Sequence, residues 1–135
     1  MNTLDILNKA VSEVKRKNDY NYESKKEMSG MCSYFACVVM KEIKNLGYES
    51  EHLNILINEK ALDKSFIPDY GLNDIDYRKE QEYNHNVVLF EGYIVDLSRN
   101  QFGRFREHDI TPENIYLNRN ITVKTKIHST QLNLG

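Results

Sequence analysis

Residues 85–98 read HNVVLFEGYIVDLS. Two apolar runs, Asn86 to Phe90 and Tyr93 to Leu97, flank Glu91-Gly92. A two-residue connection with glycine in second place predicts a β-hairpin, because the turns that match strand twist need positive φ. With Glu91 and Gly92 in the turn, Phe90 faces Tyr93, Leu89 faces Ile94, Val87 faces Asp96 and His85 faces Ser98. Side chains two apart share a face, so His85, Val87, Leu89, Ile94, Asp96 and Ser98 line one side. His85 and Asp96 become diagonal neighbours, roughly 7 Å apart at the backbone, within reach of a carboxylate–imidazole hydrogen bond. Both strands carry apolar residues on both faces, which predicts a sheet covered on both sides. A carboxylate buried there needs a partner, and His85 is the one at hand. A histidine so held has its tautomer fixed and its cation stabilised, as a general base requires.

Outward from the hairpin, the pattern turns helical. The stretch from about Cys32 to Leu46 predicts a helix burying Cys32, Phe35, Ala36, Val39, Ile43 and Leu46, with Ser29 and Gly30 at its start and Gly47 just past its end. Leu4, Leu7, Val11 and Val14 give residues 3–17 an apolar stripe at helical spacing, with Asn2 or Thr3 as cap. Residues 18–28 have no periodicity and predict a loop. Leu53, Ile55 and Ile57 alternate within residues 51–58 and predict a strand. Residues 59–83 are poorly patterned apart from a short helical piece around Ala61; a loop that long in a small domain suits a functional segment. Thr111-Pro112-Glu113 predicts a short helix with Thr111 as N-cap. Ile121, Val123, Thr125 and Ile127 alternate as a last strand. The expected fold is α+β: N-terminal helices packed on a small antiparallel β-sheet of about four strands, in a single domain over residues 1–135.

Composition bounds the function. Lys and Arg total 18 and Asp and Glu 20, for a net charge of -2; without a basic excess, no nucleic-acid partner is expected. The longest apolar run, Tyr34 to Met40, is too short to span a membrane. The N-terminus lacks the basic and apolar regions of a secretory signal, so the expected location is the cytoplasm, or delivery as an effector without a classical signal peptide. The only cysteines are Cys32 and Cys37. On one helix their Cα atoms would lie roughly 8–9 Å apart on different faces, too far for a disulfide. The histidines and cysteines are scattered rather than spaced as zinc ligands, and no phosphate-cradling glycine loop occurs, so neither a metal nor a cofactor is expected.

The two cysteines differ in setting. Cys37 falls mid-helix and reads as a small core hydrophobe. Cys32 falls in the first helical turn, where partial positive charge favours the thiolate. Gly30, just before it, would allow close approach of a substrate.

The order cysteine, histidine, aspartate, with the cysteine opening a helix and the others on neighbouring strands, resembles the papain-like and transglutaminase-like cysteine enzyme superfamily. The matching stretches are SGMCSYFACVVMKEIKNLG and HNVVLFEGYIVDLSRNQF, within about residues 29 to 103. The second stretch is also similar to the histidine and aspartate strands of arylamine N-acetyltransferases. The resemblance implies Cys32 as nucleophile, His85 as general base and then acid, and Asp96 as the orienting carboxylate. Papain-like peptidases commonly add an upstream glutamine to the oxyanion hole, but the first glutamine here is Gln81. The donors must then be backbone N–H groups, or a side chain such as Asn21. Gln101 and Arg99, just past Asp96, are candidates for the rim of the site.

The expected activity is a cysteine hydrolase, peptidase or deamidase in type, cleaving a peptide, isopeptide or glutamine side-chain amide through an acyl-enzyme. An acyltransferase or transglutaminase with the same triad, and a catalytically silent interaction protein on the same fold, are the alternatives. The expected partner is a protein or peptide substrate, met by residues 59–84 as a lid.

Overall fold

The computed structural model describes residues 1–62, 81–103 and 105–128. The chain runs through helices α1 (Thr3–Lys17), α2 (Lys25–Met28) and α3 (Cys32–Asn45) and strand β1 (Glu51–Asn58). It continues with strands β2 (Glu82–Phe90), β3 (Tyr93–Val95) and β4 (Ile110–Pro112), helix α4 (Glu113–Tyr116) and strand β5 (Ile121–His128). The fold is α+β. The strands form one antiparallel sheet in the order β4-β3-β2-β1-β5. Most of the 59–84 stretch expected to form a lid falls on residues 63–80, outside the described residues.

Near the turn the hairpin register is the expected one, with Phe90 paired to Tyr93, Leu89 to Ile94 and Val88 to Val95, but the expected Val87–Asp96 and His85–Ser98 pairs are not part of the ladder. Glu91 and Gly92 both take positive φ, at 45° and 83°, the backbone of a tight turn whose twist suits the strands. The ladder between β2 and β3 stops at Val88. Among the described residues, the earlier part of β2 pairs only with β1, and no strand lies along its other edge.

Both faces of the sheet are covered. On one, Leu7 and Val14 of α1 and Phe35, Val39 and Ile43 of α3 bury against Val88, Phe90, Val95 and Leu97. On the other, Leu53, Ile55, Ile57, Val87 and Ile94 lie under Phe102, Phe105 and Tyr116. Fully burying such a side chain stabilises the fold by about 1.5–3 kcal/mol. The covering layer is tied down by Asp109, which accepts from Lys15 at 2.7 Å and Arg99 at 3.3 Å, while Asn100 donates to the carbonyl of Tyr22 at 2.7 Å.

Three local expectations are corrected. Residues 18–28 include a one-turn helix, α2, capped by Ser24, whose side chain accepts the N–H of Glu27. The N-cap of α3 is Met31, with no side-chain cap bond, rather than Ser29 or Gly30. Thr111 does not cap α4; it sits in β4, and Pro112 occupies the cap position. In the last two cases pairing and chain reversal outweigh local cap preference. No helix among the described residues is long and apolar enough to cross a membrane.

Candidate active site

Cys32, His85 and Asp96 come together. His85 is 0% and Asp96 2% exposed, and His85 Nε2 lies 2.8 Å from Asp96 Oδ2. An ionised carboxylate only accepts, so Nε2 carries the hydrogen and Nδ1 is left as the basic atom. The Phe102 ring stands perpendicular to the imidazole at 4.9 Å between centroids and fixes its plane. The Tyr116 hydroxyl donates to the same Asp96 Oδ2 at 2.6 Å. Burial and then the Asp96 charge hold the Tyr116 phenol well above its ordinary range, so it stays a neutral donor. The backbone N–H of Asp96 bonds the carbonyl of Asp109 at 2.8 Å. Asp96 is thus held through both its main chain and its carboxylate.

Cys32 occupies the first position of α3, half-buried, and forms no disulfide. Its sulfur accepts from Asn86 Nδ2 at 3.3 Å and lies near enough to His85 and the Asn86 backbone for both to favour the thiolate. His85 and Asn86 are consecutive, so their side chains leave opposite faces of β2. One sulfur reaches both only around the edge of the strand, on the side where the β3 ladder has ended. The Asn86 N–H that a longer β3 would have used is spent on the thiol.

These contacts set the charges. Burial pushes the Cys32 thiol up, but the hydrogen bond and charge of His85, with Asn86, outweigh it, and the pKa is lowered to about 7. Burial works against the His85 cation, but the charge and hydrogen bond of Asp96 prevail and raise it to about 9. Between those values the pair holds its proton on the imidazole as a thiolate–imidazolium couple. Cys37, by contrast, is pushed up by burial alone.

The other expected site residues are placed differently. Gln101 Nε2 lies 3.4 Å from His85 Nδ1, so it contacts the base rather than the sulfur. Gly30 takes φ 75° with open space around it; it turns the chain from α2 into α3 and so delivers Cys32 to the helix start. Asn21 is exposed, and its side-chain oxygen accepts the N–H of Glu23 in its own loop. Asparagine favours such local turns. Arg99 is buried against Asp109, the Arg106 carbonyl and Asn100, an internal staple instead of a rim residue. A surface cavity of about 380 Å³ lies beside it, lined by Glu23, Asn100 and Arg106 among others and by none of the triad.

Sequence reasoning missed Asn86, His52, Asn54 and Tyr116. Asn86 Oδ1 receives His52 Nε2 at 2.8 Å and Asn54 Nδ2 at 3.2 Å. Polar residues at His52 and Asn54, between the apolar positions of β1, were a readable signal of a polar strip on that face. Tyr116 is 20 residues from Asp96, and no local pattern announces it. Among the described residues no cluster of His, Cys, Asp and Glu is placed to hold a metal ion. No protein-family model matches this chain, and no curated protein or solved structure matches it significantly.

Proposed function

We propose that this chain is a cysteine-dependent hydrolase of an amide bond, built on a papain-like or transglutaminase-like core. The observation that carries the reading is the buried His85–Asp96 pair, 2.8 Å apart, beside a thiol lowered to about 7 at a helix start. A buried carboxylate and imidazole are costly unless paired, and a structural pair does not need a half-exposed thiol beside the imidazole.

The chemistry follows from the charges. The Cys32 thiolate attacks the carbonyl carbon of the amide, and the carbonyl electrons move to oxygen. As the C–N bond breaks, the His85 imidazolium gives its Nδ1 proton to the leaving nitrogen, which departs as an amine or, from a glutamine side chain, as ammonia. Neutral His85 then takes a proton from water, whose oxygen attacks the thioester and frees Cys32. Asp96 keeps the ring in the tautomer this cycle needs.

Thiol reactivity tests the pair without a known substrate. At pH 6 a thiol at about 7 has roughly thirty times the thiolate fraction of an ordinary cysteine, and its weaker nucleophilicity returns about fivefold of that. Cys32 is therefore expected to react with iodoacetamide roughly six times faster than free cysteine, and the advantage is expected to vanish in His85→Ala. A Cys32 no faster than free cysteine would sink the reading. Tagged peptide, glutamine and ubiquitin-like substrates, offered to the wild type and to Cys32→Ala with and without an amine acceptor, then separate hydrolysis from acyl transfer.

A further inference from the structure

The carboxamide of Asn86 has a polarity that its surroundings dictate. The main-chain carbonyl of His85 can only accept. Asn54 presents one end of its amide to that oxygen at 3.4 Å; facing a carbonyl, this end must be the NH₂. The same Nδ2 lies 3.2 Å from Asn86, so the atom of Asn86 it meets must be an acceptor, Oδ1. His52 Nε2, 2.8 Å from that oxygen, must then donate. With Oδ1 held by two donors, the other end of Asn86, its NH₂, is the end turned to the Cys32 sulfur at 3.3 Å. His52 is 8% exposed, and its Nδ1 has no partner among the described residues; Asn86 is the one side chain its ring is seen to serve.

We infer that Asn86 is a catalytic residue whose side-chain NH₂ donates to the oxyanion formed on the acyl carbonyl, and that His52 and Asn54 are positioning residues that hold it in that polarity. The inference rests on the acyl-transfer reading of Cys32. In the tetrahedral adduct the oxyanion is two bonds from sulfur, so a donor already touching the sulfur reaches it with a small rotation. The Cys32 backbone N–H, with no intrahelical acceptor at the first position of α3, is the natural second donor. A preorganised donor of this kind is worth about 10²–10³ in rate. It also fills the place left by the missing upstream glutamine.

Two reagents separate this role from simple activation of the thiol. Iodoacetamide is displaced at a saturated carbon and forms no oxyanion; p-nitrophenyl acetate acylates Cys32 through one, releasing p-nitrophenolate. Any change in thiolate fraction moves both rates together, so their ratio isolates the oxyanion. In a Cys37→Ser background, Asn86→Asp and Asn86→Ala are expected to lower the acylation-to-alkylation ratio at least tenfold. His52→Leu is expected to lower it by a smaller factor, and His52→Gln, whose amide N–H can again reach Oδ1, to restore it. Asn86→Asp keeps the shape of the side chain and carries the test should Asn86→Ala not fold, as checked by circular dichroism. A ratio within threefold of wild type in a folded Asn86 variant overturns the inference while leaving the Cys32 nucleophile intact. Wild-type alkylation no faster than that of free cysteine removes the acyl-transfer reading and this inference with it.

Discussion

At the scale of single residues, the site behaves as one proton shared between two groups. His85 is raised from 6.5 to about 9, so its contribution to stability is complete below 6.5 and is lost as pH climbs through about 9. Cys32 is lowered from 9.0 to about 7, so its contribution is complete above 9.0 and is lost as pH falls through about 7. Between those values folding moves the proton from thiol to imidazole without net uptake, and the two slopes cancel. The wild type is therefore expected to show stability nearly independent of pH from about 7 to 9. Cys32→Ala removes one slope and leaves the other, because Asp96 still holds the His85 cation. Its stability is expected to fall as pH rises above 6.5, by up to about 1.4 kcal/mol per pH unit. Urea unfolding at a series of pH values measures this; a flat profile in Cys32→Ala would show that His85 is not held as a cation. The candidate residues Cys32, His85 and Asp96 were legible because each carries its own local signal: a helix start, a strand position, and a carboxylate within an apolar run. Asn21 carries no such local signal; its side-chain oxygen accepts the N–H of Glu23.

At the scale of elements, local physics is enough for most of the chain. The spans of α1, α3 and β1 follow directly from hydrophobic period, because each buries one side against the core. The hairpin is set by its turn. Alanine at Gly92, where φ is 83°, is expected to cost about 1–2 kcal/mol, the penalty for a Cβ in left-handed backbone. Glu91 sits at φ 45° without being glycine, so Glu91→Asn is expected to leave stability unchanged or raise it by a few tenths of a kcal/mol. Guanidinium unfolding of the two variants checks both signs, and a Gly92→Ala as stable as wild type would contradict the turn assignment. The cap of α3 and the strand at Thr111 were not legible in this way. Met31 caps because the chain reverses at Gly30, and Thr111 joins the sheet because β3 offers it a free edge; neither cause lies within a few residues of the effect.

At the scale of the whole molecule, the covering segment after Asp96 is held on the sheet by Phe102, Phe105 and Tyr116 and by the polar contacts of Asp109. Asp109 joins α1, through Lys15, to the buried Arg99. The two partners differ in exposure, at 38% for the Lys15 side chain and 10% for that of Arg99, and this predicts unequal effects. Lys15→Ala should cost under about 1 kcal/mol, as surface pairs do. Asp109→Ala leaves a buried guanidinium short of an acceptor and is expected to cost about 1–3 kcal/mol. It should also slow alkylation of Cys32, because Asp96 loses the support of the segment bonded to its N–H. Paired unfolding curves decide the matter: equal losses in the two variants would mean that Arg99 is served as well by Glu23, 3.6 Å away.

Periodicity, turn chemistry and alternation act over a few residues, so α1, α3, β1, the hairpin turn and the candidate trio Cys32, His85 and Asp96 could be read from the chain, while α2 and β4 could not. The tertiary structure alone decided what those groups touch. Alternation sends His85 and Asn86 to opposite faces, and only the end of the β3 ladder at Val88 lets both reach one sulfur. Likewise Tyr116 meets Asp96, and His52 meets Asn86 from 34 residues away, because a sheet buried on both faces brings distant polar groups into one dry site, where each must find a partner.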